Sequence, residues 1–287
     1  MEPRVVREGL TFGECPRWRD GRLWYSDFYD HAVHVLAPDG SDERVVEVAH
    51  QPSGLGWLPD GRLLIVSMTD RRLLRREADG SLVLHADLSA LATYHCNDMV
   101  VDRVGRAYVG NFGFDFETVG QEGGSVPTPA VLARVDPDGT VTAAAGDLMF
   151  PNGTVITPDG ATLIIAETGA NKLTAFDVGA DGTLSGRRVW ADLSQQPILP
   201  DGICLDAEGA VWVANAFSPT LVRVAEGGAV LQAATFSQPC FACMLGGTDG
   251  RELYAVSAPS ALSHEAPTLR AGRIEVTTVD VPHAGLP

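Results

Sequence analysis

The chain has 287 residues, of which 37 are acidic and 21 are basic, so its formal net charge is −16 at pH 7. This charge repels phosphate backbones and anionic membrane surfaces, which argues against nucleic acids and membranes as partners. No apolar run approaches the roughly 20 residues of a membrane helix, and the start MEPRVVREGL lacks the basic-then-apolar pattern of a secretory signal. We therefore expect a cytoplasmic protein.

The cysteines are few and odd in number, which does not suit a disulfide framework. CFAC, the one CxxC segment, lacks the second pair or the spaced histidines that a structural zinc site needs. We therefore expect buried free thiols. The five residues are Cys15, Cys96, Cys204, Cys240 and Cys243.

A turn glycine followed by a short apolar run recurs six times along the chain, first as DGRLWYSD and last as DGRELYAVSAP. The glycines stand at positions 21, 61, 105, 160, 209 and 250. Intervals of this length, 40 to 55 residues, are typical of four-stranded propeller blades. The apolar runs are rich in β-branched and aromatic residues, and no segment keeps the spacing of an amphipathic helix.

A second hairpin follows each apolar run, for example AVHVLAPDGSDERVVEV, so that each repeat supplies four strands. The sixth repeat lacks its last strand, and we expect Val5 to Arg7 to provide it and to close the ring. The predicted fold is therefore all-β, a six-bladed β-propeller with four antiparallel strands per blade, forming a single domain over residues 1–287. Two smaller β domains or a β-sandwich array are the alternative. Residues 113–130 lie inside the third repeat and are predicted to form a long loop that shapes the substrate site.

One position at the start of each innermost strand carries a polar residue in five of the repeats. This residue stands seven places before the turn glycine in the first repeat and eight places before it in the others, as Glu14, Ser53, Asn97, Asn152 and Asp201. In a propeller these positions surround one end of the central channel. Taken singly, Pro-Asn-Gly and Pro-Asp-Gly are ordinary turn sequences, but the shared register predicts that the side chains meet in the channel.

Carboxylates that meet in a partly desolvated channel repel each other unless a cation or a proton neutralises them. Glu14, Asn152 and Asp201 offer only oxygen ligands, which favours one hard divalent ion. Calcium is the first choice, with magnesium, manganese or zinc as alternatives.

The segments GECPRW, FPNGTVITPDG and LPDGICLDAEGAVWVA resemble the gluconolactonase and senescence-marker-protein (regucalcin-like) family of six-bladed propellers over essentially the whole chain. The resemblance implies that Glu14, Asn152 and Asp201 bind the metal and that Asp201 is also the general base. It further implies that Asn97 contacts the substrate or lies near the metal. His95 stands where sugar-lactone hydrolases of the family typically carry an arginine, whose donor fork an imidazole does not reproduce. His95 is therefore either a second substrate-binding residue or part of the channel rim.

Together with these residues, the resemblance implies a metal-dependent hydrolase that opens a small-molecule lactone or ester. The ion would polarise the carbonyl group, and Asp201 would activate the attacking water. The sequence has no GxSxG motif for a serine hydrolase, and a thiol mechanism would need a base beside Cys15 or Cys96. Two alternatives remain, namely a hydrolase of another activated ester or phosphoester and a non-catalytic calcium-binding propeller.

Overall fold

The computed structural model describes residues 2–285, which form 24 β-strands in six four-stranded antiparallel sheets. Each sheet is one blade of a six-bladed β-propeller, so the predicted fold is confirmed. One short helix, α1 (Ala266–Leu269), and two 3-10 turns, Phe116–Thr118 and Thr168–Ala170, lie in the connections. No helix in this described part of the chain is long and apolar enough to cross a membrane.

Each blade contributes one strand to each of four concentric positions. The innermost strands are β2 (Gly13–Arg19), β6 (Pro52–Trp57), β10 (Cys96–Val101), β14 (Pro151–Ile156), β18 (Pro200–Leu205) and β22 (Cys240–Gly246). The second strands are β3 (Arg22–Asp27), β7 (Leu63–Ser67), β11 (Ala107–Asn111), β15 (Thr162–Glu167), β19 (Val211–Asn215) and β23 (Glu252–Ser257). The third strands are β4 (Ala32–Leu36), β8 (Arg72–Arg76), β12 (Ala130–Val135), β16 (Lys172–Val178), β20 (Thr220–Val224) and β24 (Gly272–Thr278). The outermost strands are β5 (Asp42–Glu47), β9 (Leu82–Asp87), β13 (Val141–Leu148), β17 (Leu184–Asp192), β21 (Val230–Thr235) and β1 (Arg4–Leu10).

The N-terminal strand completes the last blade, as the sequence predicts. β1 pairs antiparallel with β24, and it is longer at both ends than the predicted segment. The innermost strands of neighbouring blades contact each other all the way round, including β22 against β2. The sixth blade therefore joins the first, and the closed ring leaves the outermost strand of each blade as its edge.

Every innermost strand is irregular near its start. Its ladder with the second strand shifts register within the first residues in all six blades. Such a bulge bends the strand and redirects side chains. In the first blade the irregularity includes Cys15, which has a φ of 47°. The bulges allow neighbouring residues of one strand to face the same cavity.

The glycines after the polar residues have a packing role. Pro-Asn-Gly and Pro-Asp-Gly lie inside β14 and β18, so their interpretation as turns is wrong. A Cβ atom at Gly153 would lie 2.4 Å from the backbone nitrogen of Ile203, and one at Gly202 would lie 2.7 Å from the Cα atom of Ala242. Only glycine therefore lets the innermost strands approach each other at the channel.

We expect Gly153→Ala to lower the free energy of unfolding by about 1–3 kcal/mol, because the added methyl group overlaps the backbone of the next blade. Gly146→Ala is the matched control, since a Cβ atom there has no neighbour within 4 Å. Denaturant unfolding of both variants measures the difference. Equal stability of the two variants would contradict the packing role of Gly153.

Candidate functional site

A cavity of about 450 Å³ opens where the innermost strands begin. All of the predicted site residues line it, and Ser53 lines it as well. The structure thus brings together the predicted site residues from four blades and Ser53 from a fifth, while their chemical roles stay predictions. The predicted residues are Glu14, His95, Asn97, Asn152 and Asp201.

The floor of the cavity carries a cluster of buried carboxylates. Glu14 and Asp201 are each 7% exposed and Asp98 is 4% exposed. Burial raises the pKa of Glu14 well above its usual range, and repulsion from Asp201 and Asp98 raises it further. Burial and repulsion from Asp98 likewise raise the pKa of Asp201. Burial also raises the pKa of Asp98, although the positive charge of Arg17 opposes this shift.

The two carboxamides at the floor use their nitrogens within the protein. Asn152 donates from Nδ2 to Thr168 Oγ1 at 3.2 Å, and this hydroxyl donates to the carbonyl oxygen of Pro200 at 2.7 Å. Asn97 donates from Nδ2 to the carbonyl oxygen of Pro151 at 2.9 Å. Its Oδ1 is buried and has no hydrogen-bond partner within residues 2–285. A buried carbonyl oxygen of this kind is unfavourable unless a cation or a donor from a ligand reaches it.

The donor chemistry at the floor fits a hard divalent cation. Carboxylate and carboxamide oxygens of Glu14, Asn152 and Asp201 are the ligand types that calcium prefers, and the excess negative charge favours a cation. Over residues 2–285, no three or more His, Cys, Asp or Glu side chains are grouped so that they could hold a metal ion. A cation at this floor would therefore need a carboxamide oxygen in addition to the carboxylates.

The thiols behave as the sequence predicts, since all five cysteines are free and buried. Cys15 donates a hydrogen bond from Sγ to Asp98 Oδ1 and lies 3.7 Å from Ser53 Oγ. Burial raises the pKa of the Cys15 thiol well above its usual range, and the charges of Asp98 and Glu14 raise it further. A protonated thiol is a poor nucleophile, so Cys15 is suited to hold Asp98 in place.

His95 is half-buried in the cavity wall. Its ring stacks on that of Tyr94, with centroids 4.1 Å apart and planes 23° apart. Burial lowers the pKa of His95, and Arg71 lowers it as well, whereas the carboxylates of Asp115 and Glu117 oppose the shift. The imidazole is therefore neutral at pH 7 and can both donate and accept a hydrogen bond.

Two loops meet above the cavity. The predicted long loop at residues 113–130 does connect β11 to β12, and its Glu117 accepts hydrogen bonds from the backbone nitrogen and the hydroxyl of Ser263 at 2.9 and 2.7 Å. Ser263 belongs to the connection between β23 and β24, where Ala261 also accepts a hydrogen bond from the Tyr29 hydroxyl at 3.2 Å. The sequence analysis missed this second loop, because contacts across the mouth leave no pattern in the sequence.

Aromatic rings form a large part of the cavity wall, a feature that the sequence analysis did not predict. The lining includes two tyrosines, Tyr29 and Tyr94, and seven of the ten phenylalanines of the chain. The sequence does contain a pattern that could have predicted these rings. Phe28 and Phe112 directly follow second strands, and Phe217 follows one at a distance of two residues. The seven are Phe12, Phe28, Phe112, Phe116, Phe150, Phe217 and Phe241.

A second cavity of about 530 Å³ is lined by residues from the far ends of the same innermost strands, among them Arg17, Val101 and Leu205. It contains none of the predicted site residues. Of these two cavities, the first is the one lined by the buried carboxylates.

The fold and the site place the chain among six-bladed β-propellers that carry a polar site at one end of the central channel. Comparison with known proteins then identifies the family. The SMP-30/Gluconolactonase/LRE-like region matches residues 12–259. The chain belongs to this family, and the resemblance seen in the sequence is thereby confirmed.

Several relatives are similar to the chain over most of its length. Pentonolactonase XacC of Haloferax volcanii is 30% identical over 216 residues, covering 74% of this chain and 69% of that protein. The 6-deoxy-6-sulfogluconolactonase of Pseudomonas putida is 26% identical and covers 99% of this chain and 96% of that protein. The crystal structure of a calcium-binding protein, regucalcin, from Agrobacterium tumefaciens aligns with a TM-score of 0.83 at 24% identity, covering 99% of this chain and 96% of that one.

We expect the pKa of His95, measured by NMR titration of its ring, to lie below the value of about 6.5 that is usual for histidine. The Asp115→Asn variant should lower this pKa further, because it removes a carboxylate that favours the imidazolium. His95→Gln assigns the resonance. A midpoint at or above the usual value, or a rise in Asp115→Asn, would contradict the geometry of this wall.

Proposed function

We propose that this protein is a divalent-metal-dependent hydrolase that opens a lactone ring, with a small-molecule lactone or ester as its substrate. The observation that carries the proposal is the set of buried oxygen donors, Glu14, Asn152 and Asp201, which three separate blades bring to one cavity floor. Membership of a family that contains named lactonases supports the choice of reaction. The overall change adds water across the acyl C–O bond and yields a hydroxy acid.

Glu14, Asn152 and Asp201 would hold the metal ion, and calcium fits their oxygen donors best. When bound, such an ion supplies Lewis-acid activation of the ester carbonyl and stabilises the developing negative charge. The protein keeps the three donors in place through the bulged strand starts and through the hydrogen bond from Asn152 to Thr168. Regucalcin, a relative in sequence, is described as calcium-binding in one structure of similar fold.

Asp201 is the proposed general base. The Asn152 side chain and the Gly202 backbone N–H favour its ionised form and oppose the rise in its pKa. A carboxylate in this setting can take the proton of the attacking water and later return it to the ring oxygen that leaves. A positioned general base of this kind contributes about 10²–10⁴-fold to the rate.

Asn97 and His95 are the proposed substrate-binding residues. The unpaired Oδ1 of Asn97 is an acceptor at the floor of the cavity, and the neutral His95 ring lies in the wall above it. His95 can donate a hydrogen bond to the ester group, and Asn97 Oδ1 can accept one from the attacking water or from a hydroxyl group of the substrate. Both contacts position the reacting groups relative to Asp201 and so raise their effective concentration.

We expect chelator-treated protein to lose lactone hydrolysis in a pH-stat assay and to regain it when calcium, magnesium, manganese or zinc is added. Asp201→Asn should lower kcat by about 10²-fold or more, because it removes the general base. Asp249→Asn is the control, since that carboxylate is exposed and lies outside the cavity.

Glu14→Gln separates binding from catalysis in the same assay. We expect this variant to need a higher concentration of metal for half-maximal activity while it keeps more of its kcat than Asp201→Asn. If the wild type hydrolyses no lactone with any of these metals, or if Asp201→Asn is as active as Asp249→Asn, the proposed function is wrong.

A further inference from the structure

The walls of the cavity differ in chemistry from its floor. The floor residues Glu14, Asn152 and Asp201 are less than one tenth exposed and polar. Above them Phe12 lies 4.9 Å from Phe241, measured between ring centroids, and the two rings meet at an interplanar angle of 61°. A ligand whose ester group reaches the floor therefore has the rest of its surface against phenyl rings.

Phe217 extends this aromatic wall outward. Its ring is packed edge-on against Phe241, with centroids 5.6 Å apart and planes 86° apart, yet the residue is 62% exposed. Exposed aromatic surface at the mouth of a cavity is typical of a contact with an apolar ligand, because contact between this surface and water is unfavourable and a bound ligand removes it.

The backbone at Phe217 makes its presence costly to the fold. Ser218 donates from its backbone nitrogen to the carbonyl oxygen of Asn215 at 2.9 Å, which closes a four-residue turn. Phe217 is the third residue of this turn and has a φ of 63°. Glycine is the favoured residue at such a position, because bulky side chains are strained in the left-handed region. A phenylalanine here is unfavourable because its backbone is strained and because its ring is exposed to water. A bound ligand would cover the ring.

Several polar side chains of the walls, other than His95, are already engaged within the protein. Glu117 binds Ser263, Asp115 accepts a hydrogen bond from the backbone nitrogen of Glu117 at 3.1 Å, and Thr69 donates to the carbonyl oxygen of His50 at 3.3 Å. Hydroxyl groups of a sugar lactone would lose hydrogen bonds to water against phenyl faces, and each lost bond weakens binding by roughly tenfold.

We propose, on the basis of the hydrolase function proposed above, that the substrate is a lactone bearing an alkyl or aryl substituent, and that Phe217 contacts this substituent and determines specificity. The lactone ring lies at the floor near Asp201, and the substituent lies against the cavity-facing surfaces of Phe217 and Phe241, which already contact each other. The product is an apolar hydroxy acid.

The test compares kcat/KM of the metal-loaded wild type for γ-butyrolactone, γ-octalactone, dihydrocoumarin and glucono-δ-lactone. Each buried carbon of a substituent should raise kcat/KM roughly threefold. The butyl group of γ-octalactone should therefore raise it at least about tenfold over γ-butyrolactone if two of its carbons are buried, and about 80-fold if all four are. Dihydrocoumarin should also exceed glucono-δ-lactone.

Phe217→Gly should reduce the preference for γ-octalactone over γ-butyrolactone about tenfold, chiefly through a higher KM for the longer substrate. Glycine relieves the left-handed strain, so this variant should melt at the same temperature as the wild type or higher. Leu231→Ala is the control, because Leu231 is 52% exposed on β21 and does not line the cavity. Its preference should equal that of the wild type.

The outcomes separate the two proposals. If the protein hydrolyses glucono-δ-lactone as well as γ-octalactone, or if Phe217→Gly keeps the wild-type preference, the inference about substrate class is overturned and the hydrolase function stands. If no lactone is hydrolysed, the hydrolase function fails. Calorimetric binding of cyclopentanone and 2-butylcyclopentanone then tests separately whether the cavity binds an apolar ligand. Tighter binding of the butyl compound that depends on Phe217 supports the apolar ligand, and equal binding overturns it.

Discussion

Three carboxylates, Glu14, Asp98 and Asp201, are buried together at one end of the propeller channel, and their mutual repulsion raises the pKa of Glu14 and Asp201 beyond the effect of burial. Burying like charges together is unfavourable unless something compensates them. Arg17 supplies part of the compensation from below the floor. The remaining negative charge is the physical reason to place a cation at this site.

The fold reaches this arrangement through local features that are repeated in every blade. A register shift occurs at the start of each innermost strand, and in five of the six blades polar side chains at this place line the cavity. Glycines such as Gly153 and Gly202 then allow neighbouring strands to approach within contact of each other's backbone. The ring is closed by β1, which joins the two ends of the chain in one blade. Site geometry and fold stability thus depend on the same few residues.

Periodic features of the fold could be predicted from the sequence, because each blade repeats its turn glycine and its strands. The same register located Glu14, Asn97, Asn152 and Asp201, which line one cavity. Asp98 was missed, since strict alternation along β10 would turn it away from its neighbour Asn97, whereas the bulge admits both to the cavity. The Glu117–Ser263 contact and the position of Phe217 depend on loop conformations, which no period in the sequence specifies.

Calcium binding to metal-free protein, followed by calorimetry and thermal unfolding, tests whether a cation neutralises the buried carboxylates. We expect one calcium ion per chain and, at a free calcium concentration of 100 times Kd, a stabilisation of about 2.7 kcal/mol. The Glu14→Gln variant should bind calcium much more weakly, and Asp249→Asn should match the wild type. Unchanged unfolding with calcium, and with the other divalent ions, would show that the carboxylates share protons instead of a cation and would contradict the account.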